Sequence, residues 1–492
     1  RLLLTSAQDN ASSMEPASTP TTTLTEDVHQ AALRDLPELV GEGRIHWGDD
    51  IRARHGADET EDLVFMPDVV LEPESTAEVS AILAWAHGHG VPVTAGGART
   101  GLSGGALPIR GGIALSLRRM NRILAIDTLN HQAVVEPGVI TEELSNAAAE
   151  HGLMYAVDPA SRGTCTLGGN LAENSGGPRA VKYGVTKDWV LNLEVVLADG
   201  TVIETGANTL KNSTGYNLTQ LMVGSEGTLG VITRATLKLL PLPRHQALML
   251  VPFTSAESAC AAVAAIFQAG AMPSALEFME RDAVLLAQAF TGNHEPALGP
   301  DDAAHLLIEV DGFAPEDLMP QCERILPVLE GHGAGEVLFA ESAAEKDALW
   351  FLRRRVGEAV KAASTYKEED TVVPRGELPR LLHKVKALGA KHGFRSICYG
   401  HAGDGNLHIN ILRDDLDEAT WNDTLTWAIR ELFAEVVALG GTLSGEHGIG
   451  YVQKNYMDLA CSPAQLAVMQ GIKSVLDPKG ILNPGKIFPD PS

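Results

Sequence analysis

The alternation of apolar and polar positions becomes regular from Glu72 onward. The segment STAEVSAILAWAHGHG starts with a capping box made by Ser75 and Glu78. Its apolar residues recur at helical spacing, which predicts an amphipathic helix that buries Val79, Ile82, Leu83 and Ala86. The next segment, VPVTAGG, predicts a strand that runs into a glycine loop, and IALSL, ILAID and QAVVEPG predict further strands before a helix over 141–151.

A change in composition after Pro243 indicates a second region of the fold. Before it, LNLEVVLADGTVIETG predicts a hairpin around Asp199-Gly200, and LGVITRATLKLLPLP predicts a strand ended by prolines. After it, alanine-rich helical segments such as SAESACAAVAAIFQAG alternate with strands such as HLLIEVDG. The chain of 492 residues is therefore expected to contain an N-terminal part and a second α+β part.

Composition and charge exclude several classes of protein. The chain is 45% apolar and 21% charged, which suits a globular fold. A net charge of −25 argues against nucleic acid as a partner, because phosphate binding needs clustered Lys and Arg. The sequence contains no run of eighteen apolar residues, so it does not predict a membrane span. Five scattered cysteines without C-x-x-C predict free thiols in a reducing compartment, and they exclude an iron–sulfur cluster held by this chain alone.

The segment CYGHAGDGNLHIN, residues 398–410, carries two histidines around a glycine-rich turn. The glycines disfavour a helix, and one continuous strand would send His401 and His408 to opposite faces. A reversal at Asp404-Gly405 would fold two short strands together, so that both imidazoles could meet. Such a pair suggests a metal site that needs a third ligand; the alternative is that both rings are only hydrogen-bonded.

Four glycine-rich segments in the first half predict a long anionic ligand. They are residues 94–105, 135–138, 166–177 and 224–230, and Ser, Thr and Asn are interleaved with their glycines. Glycine allows backbone N–H groups to approach an anion closely. Four such loops within about 140 residues favour a ligand with a diphosphate and a polar ring. Neither G-x-G-x-x-G after a strand nor G-x-x-x-x-G-K-[ST] occurs, so neither a Rossmann site nor a P-loop is indicated.

Six motifs together resemble one family, the flavin-linked 2-hydroxy-acid dehydrogenases. They are PVTAGGARTGLSGGALP, DPASRGTCTLGGNLAENSGGPRAVKYG, GSEGTLGVIT, GHAGDGNLHIN, SGEHGIG and DPKGILNPGK, and the resemblance extends from about Asp62 to Phe488. This family shares the fold of vanillyl-alcohol oxidase and p-cresol methylhydroxylase, and it includes glycolate oxidase flavoprotein subunits, D-lactate dehydrogenases and D-2-hydroxyglutarate dehydrogenases.

The resemblance implies an α+β fold with a two-part FAD-binding domain of the vanillyl-alcohol oxidase type and an α+β cap domain for the substrate. We expect a disordered tail at 1–23, with a start-site artefact as the alternative, the FAD-binding domain at 24–243 and the cap at 244–440. Residues 441–492 would return to the flavin domain and complete the active site.

The resemblance also implies which residues bind FAD. The first loop would hold the pyrophosphate through backbone amides, with Thr100 and Ser103 assisting. Residues 95–106 contain no histidine for covalent attachment, so we predict non-covalent FAD. The predicted FAD residues are Thr94, Gly96, Gly97, Arg99, Thr100, Gly101, Ser103, Gly104, Gly105, Pro137, Gly138, Pro159, Ser161, Thr166, Gly168, Gly169, Asn170, Gly176, Gly177, Glu226, Gly227, Gly230, Val231 and Asn483.

By the same resemblance, Glu446 of SGEHGIG is the third metal ligand beside His401 and His408, and His447 is the base. Two imidazoles and a carboxylate suit Zn²⁺ or another divalent ion. The ion would acidify the substrate hydroxyl, His447 would take its proton, and the α-hydrogen would pass as a hydride to flavin N5. The predicted substrate-binding residues are Arg353, Lys367 and Asn406.

The expected reaction is oxidation of a short (R)-2-hydroxy acid, D-lactate or glycolate, to the 2-oxo acid. In hydroxyglutarate-specific relatives a threonine stands where this chain has Gly357, which disfavours hydroxyglutarate. Two alternatives stay open: a flavoprotein subunit without independent activity, and a redox-neutral transferase that resembles alkylglycerone-phosphate synthase. The electron acceptor would be a quinone, a cytochrome, an electron-transfer flavoprotein or an iron–sulfur partner subunit. We expect a homodimer or a subunit of a complex, cytoplasmic or peripheral at the inner membrane face.

Overall fold

The computed structural model describes residues 24–60 and 63–490, so the tail predicted at 1–23 lies outside the described residues. The first part of the chain forms short helices and two main sheets. Its elements are α1 (Glu26–Val40), β1 (Ile45–His46), α2 (Asp49–His55), β2 (Val69–Leu71), α3 (Thr76–His89), β3 (Val93–Gly96), β4 (Ile113–Ser116), β5 (Ile123–Asp127), β6 (Gln132–Val135), α4 (Thr141–Glu150), β7 (Leu153–Met154), α5 (Leu167–Glu173), α6 (Ala180–Tyr183), β8 (Val190–Val196), β9 (Val202–Glu204), α7 (Leu218–Met222), β10 (Val231–Lys238) and β11 (Leu240–Pro241).

The two sheets of this part differ in strand direction. The first has the order β1-β2-β4-β3, and both β2 and β3 run parallel to β4. The second has the order β5-β6-β10-β8-β9 and is antiparallel. Strands β8 and β9 form the predicted hairpin, with Gly200 at φ +88° in its turn.

The rest of the chain builds one large antiparallel sheet. Its strands follow the order β15-β12-β14-β13-β17-β18-β16, which places β16 at an edge. The elements are β12 (His245–Phe253), α8 (Ala256–Gln268), β13 (Ala275–Glu280), α9 (Arg281–Thr291), β14 (Ala304–Gly312), α10 (Met319–Gly331), β15 (Leu338–Ala340), α11 (Ala343–Arg354), α12 (Val356–Ala363), β16 (Tyr366–Val372), α13 (Leu378–His392), β17 (Arg395–Gly400), β18 (Asn406–Leu412), α14 (Leu425–Ala438), α15 (Met457–Ala460) and α16 (Pro463–Leu476).

Helices cover both faces of this sheet. Apolar residues of α8, α10, α13 and α14 pack on one face, and those of α9, α11 and α12 pack on the other. Because both faces are covered, strands such as β14 are buried along their whole length. The predicted division at 243 falls between β11 and β12, and the exact domain limits stay predictions.

The end of the chain returns to the first sheet. Val93 of β3 donates its N–H to Ile481 O at 2.8 Å, and Asn483 N donates to Val93 O at 2.8 Å. Tyr451 N also donates to Ser103 O at 2.8 Å in the first glycine loop. The C-terminal segment thus packs against the N-terminal part. Within the described residues, no helix combines the length and the hydrophobicity required to cross a bilayer.

The predicted capping box at α3 forms only in part. Ser75 Oγ accepts from Glu78 N, and the four predicted apolar residues are buried. The Glu78 carboxylate, however, accepts from Glu74 N at 2.7 Å and from both terminal nitrogens of Arg44 at 2.6 and 2.7 Å. The bidentate pair with Arg44 holds this carboxylate away from the Ser75 N–H.

Candidate active site

The turn between β17 and β18 brings the two histidines together as predicted. His401 directly follows β17 and His408 lies within β18, and their ring centroids are 5.3 Å apart. Gly405 ends the turn at φ +88°, where a Cβ would lie only 1.9 Å from Val373 O. A side chain at this position would therefore prevent the reversal.

Glu446 completes a convergent set with these histidines. Its Oε1 lies 3.2 Å from His401 Nε2 and 3.7 Å from His408 Nε2. The three candidate ligand atoms lie within 4.8 Å of one another. On the other side of the His401 ring, Nδ1 lies 2.9 Å from both carboxylate oxygens of Glu277. Glu277 therefore orients the ring so that Nε2 faces the centre of the set.

Asp370 determines the conformation of the loop that presents Glu446. Its Oδ2 accepts from the N–H groups of Gly445, Glu446 and His447 at 2.9, 2.7 and 2.9 Å, and from Ser444 Oγ at 3.1 Å. Burial alone would raise the pKa of this carboxyl, but the neighbouring imidazoles and these donors lower it well below its usual range. An ionised Asp370 thus holds successive backbone amides around one oxygen.

His447 lies beside the set. Its ring stacks on His408 with centroids 5.3 Å apart. Ligand atoms of Glu368, His408 and His447 also lie within 4.8 Å of one another. Burial would lower the pKa of His447, but Asp370, Glu368 and Glu446 raise it above its ordinary value. The surroundings therefore favour proton uptake by this imidazole.

One cavity is lined both by the glycine loops and by the loop that carries Glu446 and His447. Glu446 and His447 line it together with many of the predicted FAD residues. Buried polar atoms of Arg99, Thr166 and Glu173 on its wall have no hydrogen-bond partner within the described residues. The predicted residues that line it are Gly96, Gly97, Arg99, Thr100, Gly101, Gly105, Pro137, Pro159, Ser161, Thr166, Gly168, Gly169, Asn170, Glu226, Gly227, Gly230 and Val231.

The other predicted FAD residues support these loops from behind. Asn483 Nδ2 donates to Gly105 O at 2.9 Å and to Glu226 O at 2.7 Å, which joins the first loop to the fourth. Gly176 N donates to Glu446 Oε2 at 3.1 Å. The structure does not bring the following to the cavity wall: Thr94, Ser103, Gly104, Gly138, Gly176, Gly177 and Asn483.

Of the three predicted substrate residues, Arg353 and Asn406 contact carboxylates of the candidate site. Arg353 is 5% exposed, and its terminal nitrogen lies 2.5 Å from Glu277 Oε2. Asn406 Nδ2 donates to Asp370 Oδ1 at 2.7 Å and to Thr371 O at 3.0 Å, so it supports Asp370, and its contact with the substrate stays a prediction.

The structure places Lys367 apart from the candidate ligand set. Successive side chains of a strand point to opposite faces, so Lys367 lies on the opposite face of β16 from Glu368 and Asp370. Asp370 pairs with His408 of β18, so Lys367 faces away from the set. Its Nζ donates to Trp421 O at 3.3 Å and lies 5.1 Å from the centre of the Trp421 ring. Lys367 therefore lies away from the candidate ligands, and its contact with the substrate stays a prediction.

Sequence reasoning missed three carboxylates of the site. Glu277 lies in β13, whose residues are all buried, and a charge in such a strand requires a partner. Glu368 and Asp370 stand two positions apart in β16, a spacing that sends both to one face. Both features are visible in the sequence, but the sequence does not show which elements supply the partners of these carboxylates.

Comparison with known proteins identifies two family matches and several relatives. Residues 67–206 match a family described as FAD binding domain, and residues 242–487 match the family FAD linked oxidases, C-terminal domain. A D-lactate dehydrogenase of Anaerostipes hadrus is 40% identical, over 86% of this chain and 89% of that protein. The glycolate oxidase subunit GlcD of Bacillus subtilis strain 168 is 38% identical, over 89% and 92%. A D-2-hydroxyglutarate dehydrogenase of Stutzerimonas stutzeri is 33% identical, over 93% and 99%.

Solved structures share the fold. A substrate-bound p-cresol methylhydroxylase superimposes with a TM-score of 0.79 over 95% of this chain and 98% of that chain, at 19% identity. An alkyldihydroxyacetonephosphate synthase superimposes with a TM-score of 0.73 at 20% identity, over 96% of this chain and 87% of that chain. At these identities the likeness concerns the fold alone. The relatives and the two matched domains show that the chain belongs to the FAD-linked 2-hydroxy-acid dehydrogenases of the vanillyl-alcohol oxidase and p-cresol methylhydroxylase fold.

Proposed function

We propose that this oxidoreductase oxidises a short (R)-2-hydroxy acid, D-lactate or glycolate, to the 2-oxo acid. One observation carries the proposal: Glu446 and His447 line the cavity of the glycine loops, while Glu446 Oε1 faces the Nε2 atoms of His401 and His408. A candidate base and a candidate ion site therefore adjoin the place expected for the flavin. The relatives named for D-lactate and glycolate support the same substrate class.

The cavity fits FAD. Glycine is required on its wall, since a Cβ at Gly97 would lie 2.1 Å from Thr166 Oγ1. Arg99 Nε and Nη2 and the Thr166 hydroxyl, which have no partner in the described part of the chain, offer donors to an anionic ligand. FAD, when bound, supplies the acceptor for the hydride equivalent. We infer non-covalent binding because the first loop lacks histidine, and because burial raises the pKa of Cys165, the cysteine on the wall, which keeps it a neutral thiol.

The His401, His408 and Glu446 set fits a divalent cation. Buried or nearly buried carboxylates of Glu277, Glu368, Asp370 and Glu446 surround the imidazoles, and the guanidinium of Arg353 pairs with Glu277 among them. A divalent ion would offset this excess of negative charge. Zn²⁺ suits two imidazoles with one carboxylate, and when bound it would make the substrate hydroxyl more acidic.

The chain's own residues then bind and deprotonate the substrate. His447 accepts the hydroxyl proton at its imidazole, since neighbouring carboxylates stabilise the charged ring. Arg353 would hold the substrate carboxylate, because its Nε has no hydrogen-bond partner within the described residues. Glu277 holds both Arg353 and His401 and thereby fixes the distance between the two binding groups.

We further propose that electrons leave the reduced enzyme for an external acceptor: a quinone, a cytochrome, an electron-transfer flavoprotein or an iron–sulfur partner subunit. The chain's five cysteines are scattered free thiols, so it lacks the four clustered thiolates of an iron–sulfur centre. A homodimer or a larger complex that includes such a partner fits this need.

The test is an anaerobic screen of short D- and L-2-hydroxy acids with the FAD-loaded protein. D-lactate or glycolate should bleach the flavin absorbance in stoichiometric amounts, and prior treatment with a chelator should prevent it. Equal bleaching of the flavin after complete removal of the metal would contradict the role of the ion. A flavin that no 2-hydroxy acid reduces contradicts the proposed function.

A further inference from the structure

Glu173 ends helix α5 and lines the cavity of the glycine loops. Its Oε2 atom is buried and has no hydrogen-bond partner within the described residues. The carboxyl group lies between two backbone segments, since a Cβ at Gly105 would be 2.8 Å from Oε1 and a Cβ at Gly448 would be 2.1 Å from Oε2. A buried polar atom without a partner on the wall of a ligand cavity indicates a contact with the ligand.

A second carboxyl group, that of Glu226, faces the same point. Its Oε1 would lie 3.0 Å from a Cβ at Gly448, and its two oxygens accept from Ile449 N at 2.8 Å and from Gly450 N at 2.7 Å. These two amide donors stabilise the ionised form of Glu226. Glu173 Oε2 accepts from no described donor, and burial together with the charge of Glu226 raises the pKa of Glu173 well above its usual range. The proton of this pair therefore favours Glu173.

The cations of this region form their bonds elsewhere. Lys486 Nζ and Arg99 Nη1 donate to backbone oxygens of residues 107 and 106, at 2.6 and 2.8 Å. Asp58, a further carboxyl group nearby, opposes ionisation of Glu173 as Glu226 does. Because no cation among the described residues pairs with Glu173, its ionised form would be a buried charge without compensation.

We infer that Glu173 binds FAD as a neutral acid and donates its O–H to an acceptor atom of the cofactor. FAD carries a diphosphate, so an ionised carboxyl on the cavity wall would repel it, whereas a neutral acid adds a hydrogen bond. A buried site can keep a carboxylic acid neutral so that it serves as such a donor. The inference concerns cofactor binding and holds whichever 2-hydroxy acid the enzyme oxidises.

The affinity for FAD should therefore depend on pH. FAD binds the neutral form of Glu173, so the affinity is full below the pKa that Glu173 has in the free cavity. It falls as the pH rises through this pKa, by roughly tenfold per pH unit. Lys486 also loses charge over this range, because burial lowers its pKa to about 8. Glu173→Gln retains an N–H donor but cannot ionise, so the slope that remains in this variant measures Lys486 and the other groups.

The experiment dilutes the FAD-loaded protein at pH values from 6 to 9 and measures the released FAD by its fluorescence, which gives the dissociation constant. At pH 6, Glu173→Gln should match the wild type within about 3-fold, and Glu173→Leu, which lacks a donor, should bind FAD roughly 10-fold more weakly. At pH 9, the wild type should bind FAD roughly 10-fold more weakly than Glu173→Gln. Glu150→Gln, at the exposed end of α4, should follow the wild type at each pH.

Three results would overturn the inference. Glu173→Gln that binds FAD 10-fold or more tightly than the wild type at pH 6 would show that Glu173 is ionised and repels the cofactor. Glu173→Leu that binds FAD as tightly as the wild type at pH 6 would show that no bond is made. Identical pH profiles of the wild type and Glu173→Gln would show that Glu173 does not ionise when FAD is lost. Circular dichroism verifies the fold of each variant, and the comparison with Glu173→Gln decides the matter even if Glu173→Leu does not fold.

Discussion

At the scale of single residues, the site depends on which nitrogen each imidazole directs inward. His401 donates its Nδ1–H to the Glu277 carboxylate, so Nε2 remains for a ligand. His408 has Glu368 at 3.2 Å from Nδ1 and directs Nε2 toward Glu446. The carboxylates behind the rings thus determine the geometry in front of them, which makes these carboxylates as important as the candidate ligands.

Replacing His408 tests the candidate ion site directly. His408→Ala should retain FAD but lower the rate of flavin reduction by substrate roughly 1,000-fold. The reason is that a Lewis-acid ion supplies several kcal/mol, and each 1.36 kcal/mol is worth a factor of ten in rate. Stopped-flow flavin absorbance and metal analysis measure both effects. His392→Ala removes a histidine of α13 that pairs with Glu431 of α14, and it should leave the rate unchanged. Full activity in His408→Ala would refute the ion site.

Removing the charge of Glu277, which contacts His401 Nδ1, should weaken metal binding although no candidate ligand is replaced. We expect Glu277→Gln to lower metal affinity about 10- to 100-fold, because Gln cannot accept a charge-assisted bond from the His401 Nδ1–H as strongly. Competition with a chromogenic chelator gives the affinity. Glu280→Gln is the matched control, since Glu280 ends the same strand but pairs with Lys386 and Cys398 N. Equal affinities in the two variants would show that Glu277 has no part in metal binding.

At the scale of elements, edge strand β16 places Asp370 against the loop 444–447. Four donors of that loop converge on one oxygen, as in an anion-binding nest. No contact of this kind is visible in the sequence, because the strand and the loop are about 75 positions apart. The turn at 401–405, by contrast, was predictable, because glycine and aspartate chemistry is local to it.

The same distinction explains which other predictions from the sequence held. Helix α3 and the hairpin of β8 and β9 depend on periodicity and turn residues, and both form as predicted. Which face of β16 carries Lys367 depends on the register with β18, and a single sequence does not determine this register. The glycine loops were found as motifs, but only the fold shows which of their residues face the cavity and which support it.

Replacing Asp370 tests the loop as a unit. Asp370→Asn should destabilise the fold by about 3 kcal/mol, because an N–H₂ group replaces one of the two acceptor oxygens and the charge that strengthens these bonds is lost. Metal content should fall with stability, since Glu446 is no longer held. Thermal unfolding followed by circular dichroism, with metal analysis, measures both. Asp458→Asn removes an exposed partner of Arg430 and should change neither.

At the scale of the whole molecule, the cofactor cavity is formed by loops from both ends of the chain. Asn483 joins the first and fourth glycine loops, and β3 bonds to residues 481–483. Because no histidine stands in the first loop and Cys165 is held as a thiol, we expect acid precipitation to release all the flavin. Absorbance of the supernatant at 450 nm measures it. A yellow pellet would indicate a covalent link and refute this prediction.

The two parts of the molecule meet at loop 444–450, and this predicts that FAD and the divalent ion bind cooperatively. Glu226, on the cavity wall, accepts from Ile449 N at 2.8 Å and from Gly450 N at 2.7 Å. The same loop carries Glu446. Binding of either FAD or the ion would therefore order the loop for binding of the other group. Coupling of this kind is typically 1–3 kcal/mol, so removing FAD should weaken Zn²⁺ binding roughly 5- to 150-fold.

Because linkage is reciprocal, removing Zn²⁺ must weaken FAD binding by the same factor. Zn²⁺ titrations with and without FAD, and FAD titrations with and without Zn²⁺, give the two factors independently. Glu226→Gln should reduce both, since it puts an amide N–H₂ group opposite one of the two backbone donors, whereas Glu204→Gln on β9, which pairs with Arg234, should leave both unchanged. Affinities that are independent of the other group would mean that the loop is equally ordered in all forms, and that each part of the molecule binds its own group alone.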